Sequence, residues 1–458
     1  MNTTSNTANT RALIVLALIT LTCAMSCTVA TVPCATADAN CNPAAALLYV
    51  VDAETTAAEV IPDDQFAAGY NHTCALLVTA GGLVRCWGEG ANGKLGYANT
   101  DTIGDDETPL SAGDVDVGGT VVELAAGSEH TCALLDTGTV RCWGEGANGK
   151  LGYANTNTIG DDETPASAGD VDIGGTVTAI AAGGDHTCAL LETGSIRCWG
   201  RGFAGRLGYA NTNDIGDDET PASAGDVNVG GTVTAIAAGD QHTCAQLSTG
   251  PIRCWGQGSF GRLGYGNSNL IGDDETPASA GDINVGGTAT SFSATGPHTC
   301  ALFSGGNIRC WGQGVFGQLG YGNTNPIGDD ETPASAGDVP VGGNVTTILA
   351  GGVNTCAILE NGNLRCWGDG SNGQPGYGNT NNIGDNETPA SVGDVDVAGS
   401  TGAAVTALTG GIRHTCARLS NDSLRCWGQG TNGALGYGNT NNIGDDEPPA
   451  SAGDVVYK

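Results

Sequence analysis

The sequence predicts an all-β fold, a seven-bladed β-propeller of four-stranded antiparallel blades, and three observations carry that prediction. A unit of 56 to 60 residues recurs seven times, each unit reads as short strands with no helical period, and the end units look like the middle ones. The repeats are marked by a Thr-Cys cysteine at Cys74, Cys132, Cys188, Cys244, Cys300, Cys356 and Cys416, spaced 58, 56, 56, 56, 56 and 60 residues apart. They fill 66–458 with almost nothing left over, and repetition at such a period decides architecture before any single element is read. A solenoid of the same strands would expose two sheet ends and need atypical caps, which a closed ring does not.

Four runs in each unit are rich in Val, Ile, Thr, Cys and Trp and bounded by Gly, Pro, Asn or Asp, as strands are. Examples are "VTAIAAG" (177–183), "HTCALL" (130–135), "VRCWG" (140–144) and "DVDV" (114–117). The middle two form a hairpin. In "CALLDTGTVRC" the loop Asp136-Thr137-Gly138 puts Gly where positive φ is needed and pairs Leu135 with Thr139. Counting back sets Cys132 opposite Cys142 at a non-hydrogen-bonded pair, where Cα atoms approach to about 4.5 Å, within disulfide reach. The first repeat is an internal check. Its loop is two residues longer, but the addition is even, so Cys74 still faces Cys86. Seven staples follow: Cys74–Cys86, Cys132–Cys142, Cys188–Cys198, Cys244–Cys254, Cys300–Cys310, Cys356–Cys366 and Cys416–Cys426. Free thiols or zinc are the alternatives, although zinc sites want closer spacing and more ligands.

Disulfides imply an oxidising compartment, and the N-terminus agrees. Residues 12–22, "ALIVLALITLT", follow Arg11 and are too short to span a bilayer, so 1–26 reads as a secretory signal and 27–65 as a linker. "AMSC", ending at Cys27, loosely resembles a lipoprotein cleavage box. Two readings stand, lipidation at Cys27 or ordinary cleavage nearby with Cys34 and Cys41 as a local disulfide. Either makes the chain exported, extracellular or envelope-associated, with no transmembrane segment in its mature part. A net charge of −33 argues against nucleic acid and anionic lipid as partners.

The combined pattern, shown by "GSEHTCALLDTGTVRCWGEGANGKLGYAN" (127–155), resembles the regulator of chromosome condensation repeat across all seven units. The resemblance implies a seven-bladed propeller, and functions that diverge: nucleotide exchange on a nuclear GTPase, ultraviolet sensing in plants, and β-lactamase inhibition by a secreted bacterial member. Exchange uses a hairpin wedge, for which repeats 2 to 6, all of 56 residues, leave no room, and basic arms, of which none is found. The photoreceptor's "GWRHT" has its nearest counterpart in "GIRHT" (411–415), without the tryptophan; all seven tryptophans lie in "CWG" and read as blade-to-blade core. The secreted inhibitor is nearest in compartment.

Candidate chemistry divides into what repeats and what does not. Six repeats carry a histidine before Thr-Cys (His72, His130, His186, His242, His298 and His414), expected to bond a neighbouring loop backbone rather than share a metal. The "GDDE" loops, from Asp105-Asp106-Glu107 to Asp445-Asp446-Glu447, offer carboxylates that Ca²⁺ could use, although the EF-hand spacing is absent; no other cofactor is expected. One arginine per repeat (Arg85, Arg141, Arg197, Arg253, Arg309, Arg365 and Arg425) should pair with those loops. No G-x-S-x-G, P-loop or H-E-x-x-H occurs, and nearly identical repeats cannot hold one asymmetric active site, so no enzyme is expected.

The loop after "CWG" does vary. It reads "EGANGKL" in repeats 1 and 2, then "RGFAGRL", "QGSFGRL", "QGVFGQL", "DGSNGQP" and "QGTNGAL". Repeats 3 to 5 thus bring Phe203, Phe260 and Phe316, with Arg201, Arg206 and Arg262, to one face, residue types enriched in binding hot spots. Packing of Phe260 and Phe316 against the neighbouring blade is the competing reading. The sequence therefore predicts a non-enzymatic propeller that binds a protein or envelope polymer through loops on one face. A disulfide-stapled envelope protein without a specific ligand is the alternative, and exchange-factor activity a weaker one.

Overall fold

The computed structural model describes residues 64–458, which lie within one compact unit and form seven antiparallel sheets in chain order. The signal sequence, Cys27 and nearly all of the linker lie outside the described residues. In blade 1 the strands are β1 (Gln65–Ala68), β2 (His72–Leu77) and β3 (Leu83–Gly88); in blade 2, β4 (Val121–Ala126), β5 (His130–Leu135) and β6 (Val140–Gly144). Strand β5 is buried at every position because it has a strand on each side and a blade on each face. Hence it shows no alternation of apolar and polar positions, and its two polar residues, His130 and Thr131, are themselves buried.

The β5–β6 hairpin has the register its loop dictates. Leu135 N–H bonds Thr139 O at 2.9 Å, Gly138 takes φ +78°, and Cys132 faces Cys142. All seven disulfides form, with Cα atoms 4.0–4.1 Å apart, including Cys74–Cys86 across the longer loop.

The expected fourth strand does not form; each blade has three. In blade 1 the "DVDV" segment makes one strand-like bond, Val115 N–H to Val84 O at 2.8 Å. It then curls, Val117 N–H to Val115 O at 3.0 Å, so no ladder can continue. Other groups seal the outer edge. Ile103 and Gly88 exchange two backbone bonds, at 2.7 and 3.1 Å. Between them and Val84, the Tyr97 hydroxyl accepts from Cys86 N–H at 3.1 Å and donates to Gly113 O at 3.1 Å. One side chain thus satisfies the edge groups that a fourth strand would otherwise cover.

Blades meet through the tryptophans, all fully buried. Trp143 packs on Gly96 of the preceding repeat, where a Cβ would sit 2.9 Å from the indole nitrogen, and its Nε1 donates to Lys94 O at 3.0 Å. The seam between blades 7 and 1 repeats this geometry. Trp87 Nε1 donates to Ala434 O at 3.1 Å, and Arg85 Nη1 to Tyr457 O at 2.7 Å, matching Arg141 Nη1 to Val117 O at 2.6 Å. A clasp is added there: Lys458 bonds Asp64 at 2.9 Å and Asp422 at 2.7 Å, while Tyr457 meets Phe66 edge-on at 5.5 Å.

Candidate binding face

The histidines are structural, but their partners differ from those expected. Each spans a seam to the threonine hydroxyl of the next blade rather than to loop backbone. The distances are 2.9 Å for His72–Thr131, 2.8 Å for His130–Thr187, His186–Thr243 and His242–Thr299, 2.7 Å for His298–Thr355, and 2.8 Å for His414–Thr73. Thr243 donates its only proton to Arg206 O at 3.0 Å, so it must accept from the imidazole, which fixes the Nε2–H form. At the sixth seam Asn354 supplies the equivalent N–H to Thr415 at 3.0 Å. Burial holds His130, His186 and His298 down at a pKa of about 3 and His414 at about 4.

The repeat arginines pair with a different acid from the one expected. Arg85 Nε donates to Asp114 at 2.6 Å and Arg141 to Asp170 at 2.7 Å, and the other five follow suit with the aspartate of "GDVxV". The reason is position. The arginine projects beside the curled segment, whereas the "GDDE" loop packs against the loop after "CWG" of the preceding blade: a Cβ on Gly205 would lie 2.3 Å from Asp273 N, and one on Gly261 2.2 Å from Asp329 N. The middle aspartates, Asp106, Asp162, Asp218, Asp274 and Asp330, stay exposed, while the acids on either side are half-buried. Among the described residues, the groups from Asp105-Asp106-Glu107 to Asp329-Asp330-Glu331, and one further group, bring ligand atoms within 4.8 Å of one another, the grouping a hard cation would use. Partial burial and the neighbouring Asp162 raise the Glu163 pKa.

The loops after "CWG" separate the blades. Phe203 and Phe260 are 52% and 45% exposed, Phe316 is half-buried, and Val315 beside it is exposed, a contributor that a search for aromatics passes over. Arg201 lies over the Phe203 ring at 5.3 Å and reaches Asp185 at 3.5 Å. Arg206 and Arg262, expected on the surface, are instead buried, because their position is the G-x-L site directly before a core leucine. From beneath they donate Nε to Phe203 O at 3.1 Å and Ser259 O at 3.2 Å, bracing the loops. Phe260 has φ +59°, a left-handed conformation that Asn92, Asn148 and Asn432 adopt at the same place. Asn tolerates it, whereas a bulky aromatic pays about 1 kcal/mol or more. Nearly half exposed, Phe260 recovers no more than about that cost by packing, so packing alone gives no net reason for an aromatic there.

The fold and its seams define a class, the closed seven-bladed propeller with one variable loop face. The chain belongs to the regulator of chromosome condensation (RCC1) repeat family, whose models match residues 64–94, 121–150, 177–206, 233–262, 290–318, 345–374 and 405–434, and separately 137–190. It is 30% identical over 376 residues to the ultraviolet-B receptor UVR8 of Arabidopsis thaliana, covering 81% of this chain and 78% of that one. It is 29% identical over 308 residues to the E3 ubiquitin-protein ligase HERC2 of Homo sapiens, where the match covers 67% of this chain but 6% of the ligase. Among solved structures, yeast RCC1 (Prp20) bound to Kap60 shares the fold, with a TM-score of 0.60 at 19% identity over 76% of this chain and 78% of that one.

Proposed function

We propose that this protein is an exported, non-enzymatic binding propeller that holds a protein partner on the loop face of blades 3 to 5. The single observation that carries this reading is Phe260, an exposed aromatic kept in a strained conformation beside two adjacent blades that also expose apolar side chains. Strain of this kind persists where function needs it. Seven disulfides support export, since such bonds last in oxidising surroundings. A protein of the same fold, yeast RCC1 (Prp20), is seen with Kap60 bound. The test replaces Phe203, Phe260 and Phe316 by Ala, Asn and Asn, the residues other repeats hold there. A photo-crosslinker at Val315 should capture a partner from the producing cell's envelope fraction with wild-type loops and lose it with the triple variant at unchanged melting temperature. Capture that survives the triple variant overturns the reading.

A further inference from the structure

We infer that the partner of this face is a cationic polypeptide segment carrying apolar side chains, an inference that rests on the binding reading above and adds the partner's chemistry. The argument is one of juxtaposition. Each exposed apolar loop packs on the acidic loop of the next blade, so the surface alternates between the two kinds. The Phe203 loop abuts Asp273, the first residue of Asp273-Asp274-Glu275; the Phe260 loop abuts Asp329, the first of Asp329-Asp330-Glu331; and the Val315-Phe316 loop abuts Asp385. Asp274 and Asp330 are exposed, and none of these carboxylates is taken by the repeat arginines, which pair elsewhere. Glu275 and Glu331 each keep one carboxylate oxygen buried without a hydrogen-bond donor. The cations in the neighbourhood are Arg201, Arg206 and Arg262, and the last two are buried. The face therefore presents negative charge beside apolar side chains.

Arg201 shows how such a surface takes a cation. Its guanidinium lies over the Phe203 ring while reaching Asp185, so an aromatic face and a carboxylate hold one cation together. Phe260 offers an aromatic face and its neighbouring acidic loop the carboxylates, Gln241 standing where blade 3 has Asp185; among the described residues no arginine stacks on the Phe260 ring, and position 257 is Gln where Arg201 stands in blade 3. A lysine or arginine from a partner supplies what is missing, and its apolar neighbours cover Val315 and Phe316. Opposite charge also speeds encounter with a chain of net charge −33.

The probe is a synthetic peptide alternating lysine with tryptophan and leucine, titrated against the full chain with its disulfides intact. Comparators replace every lysine by glutamate, or every tryptophan and leucine by alanine. Wild-type protein should bind the first peptide at least about tenfold tighter than either comparator, with affinity falling as salt rises. Asp274→Asn with Asp330→Asn should weaken binding and flatten the salt dependence. Phe203→Ala with Phe260→Asn and Phe316→Asn should weaken it about tenfold, and the single Phe260→Asn variant, isosteric with repeats 1, 2 and 7, should weaken it in part. If the glutamate peptide binds as well as the lysine peptide and the phenylalanine variants still lose it, the cationic inference falls while the binding face stands. If the lysine peptide binds the triple variant as tightly as wild type, the inference falls and the face falls with it.

Discussion

Blades 1 and 2 share a scaffold with blades 3 to 5 but use one loop differently. At the G-x-L position, blades 1 and 2 bury Lys94 and Lys150, each between two carboxylates from either side of a seam. Lys94 bonds Glu89 at 2.9 Å and also Glu129, while Lys150 bonds Glu145 at 2.7 Å and Asp185 at 2.9 Å. Their loops are Ala-Asn-Gly, with Asn in the left-handed region and no large apolar group exposed. In blades 3 and 4 the same position holds an arginine that braces the loop from below, and the loop carries a phenylalanine outward. Blade 5 has Gln318 there, which accepts from Phe316 N–H at 2.9 Å. One set of seams is locked by charge, and the other is shaped to present a surface. The lesson is that within a repeat array the departures from the pattern, rather than the pattern, mark where a partner can be recognised.

Acid should remove the difference by attacking what all blades share. Native His130, His186, His298 and His414 stay neutral down to about pH 3 or 4, and burial lowers His72 and His242 in the same direction, whereas an unfolded histidine gains its proton near 6.5. Their contribution is complete above about pH 7 and is lost as pH falls, because the unfolded state then binds more protons. The loss is about 1.4 kcal/mol per pH unit per histidine. By pH 5 that is about 2 kcal/mol each, and about 8 kcal/mol for His130, His186, His298 and His414 together, comparable with the whole stability of an ordinary domain. The raised carboxyls act in the opposite sense, but Glu163 and its equivalents are only partly buried, and Glu123, pushed up to about 7 by burial, is a single group, so the histidines win. Circular dichroism should show cooperative acid unfolding at about pH 4 to 5. His130→Asn, which copies Asn354, should make that transition shallower at little cost near pH 7.

Removing one staple should cost less, and the same everywhere. Cys132→Ala with Cys142→Ala reopens a ten-residue spacing, for which loop entropy gives about 2 to 3 kcal/mol. The equivalent pair in blade 4, Cys244 and Cys254, should match it in chemical denaturation. Unequal costs would mean that the seams, not the hairpins, set local stability.

The charged seam is where the regions should part. Lys94→Met leaves Glu89 and Glu129 without their shared cation, and each carboxylate is partly open to water, so the cost should be about 2 kcal/mol rather than that of a fully buried pair. Lys94→Gln, the residue at 318 and 374, should cost less because its amide can still donate to one carboxylate. If Arg262→Gln costs as much as Lys94→Met in thermal unfolding, the distinction between locked and presenting seams fails.

What could be read from residues alone follows the same division. Strand order, hairpin register and disulfides come from local counting, since a loop of known length fixes which cysteines face. The fourth strand was not legible, because a tyrosine hydroxyl sealing an edge looks in sequence like any core aromatic. Arg206 and Arg262 pointed the wrong way for a related reason. Beside an exposed phenylalanine an arginine reads as surface, and only the core leucine that follows it tells that it is buried. The pairing of the repeat arginines with the aspartate of "GDVxV" was equally hidden, since seven arginines and seven acidic loops match in number whatever their placement.

The smallest effect is the most discriminating. Phe260→Asn puts at φ +59° the residue that holds this conformation in blades 1, 2 and 7. Relief of left-handed strain favours the variant by about 1 kcal/mol. Against this stands the packing lost with a ring that is nearly half exposed, worth about as much or less. The variant should therefore be equal to wild type or more stable by up to about 1 kcal/mol in thermal unfolding, a sign opposite to that expected of an ordinary aromatic truncation. Phe316→Asn controls for the strain, because Phe316 is not left-handed and is more buried, so it should be mildly destabilising. If Phe260→Asn destabilises as much as Phe316→Asn does, Phe260 is a packing residue, and blades 3 to 5 differ from blades 1 and 2 in composition alone. If it stabilises while weakening partner capture, stability has been given up at that loop for recognition, as sites under functional demand commonly show.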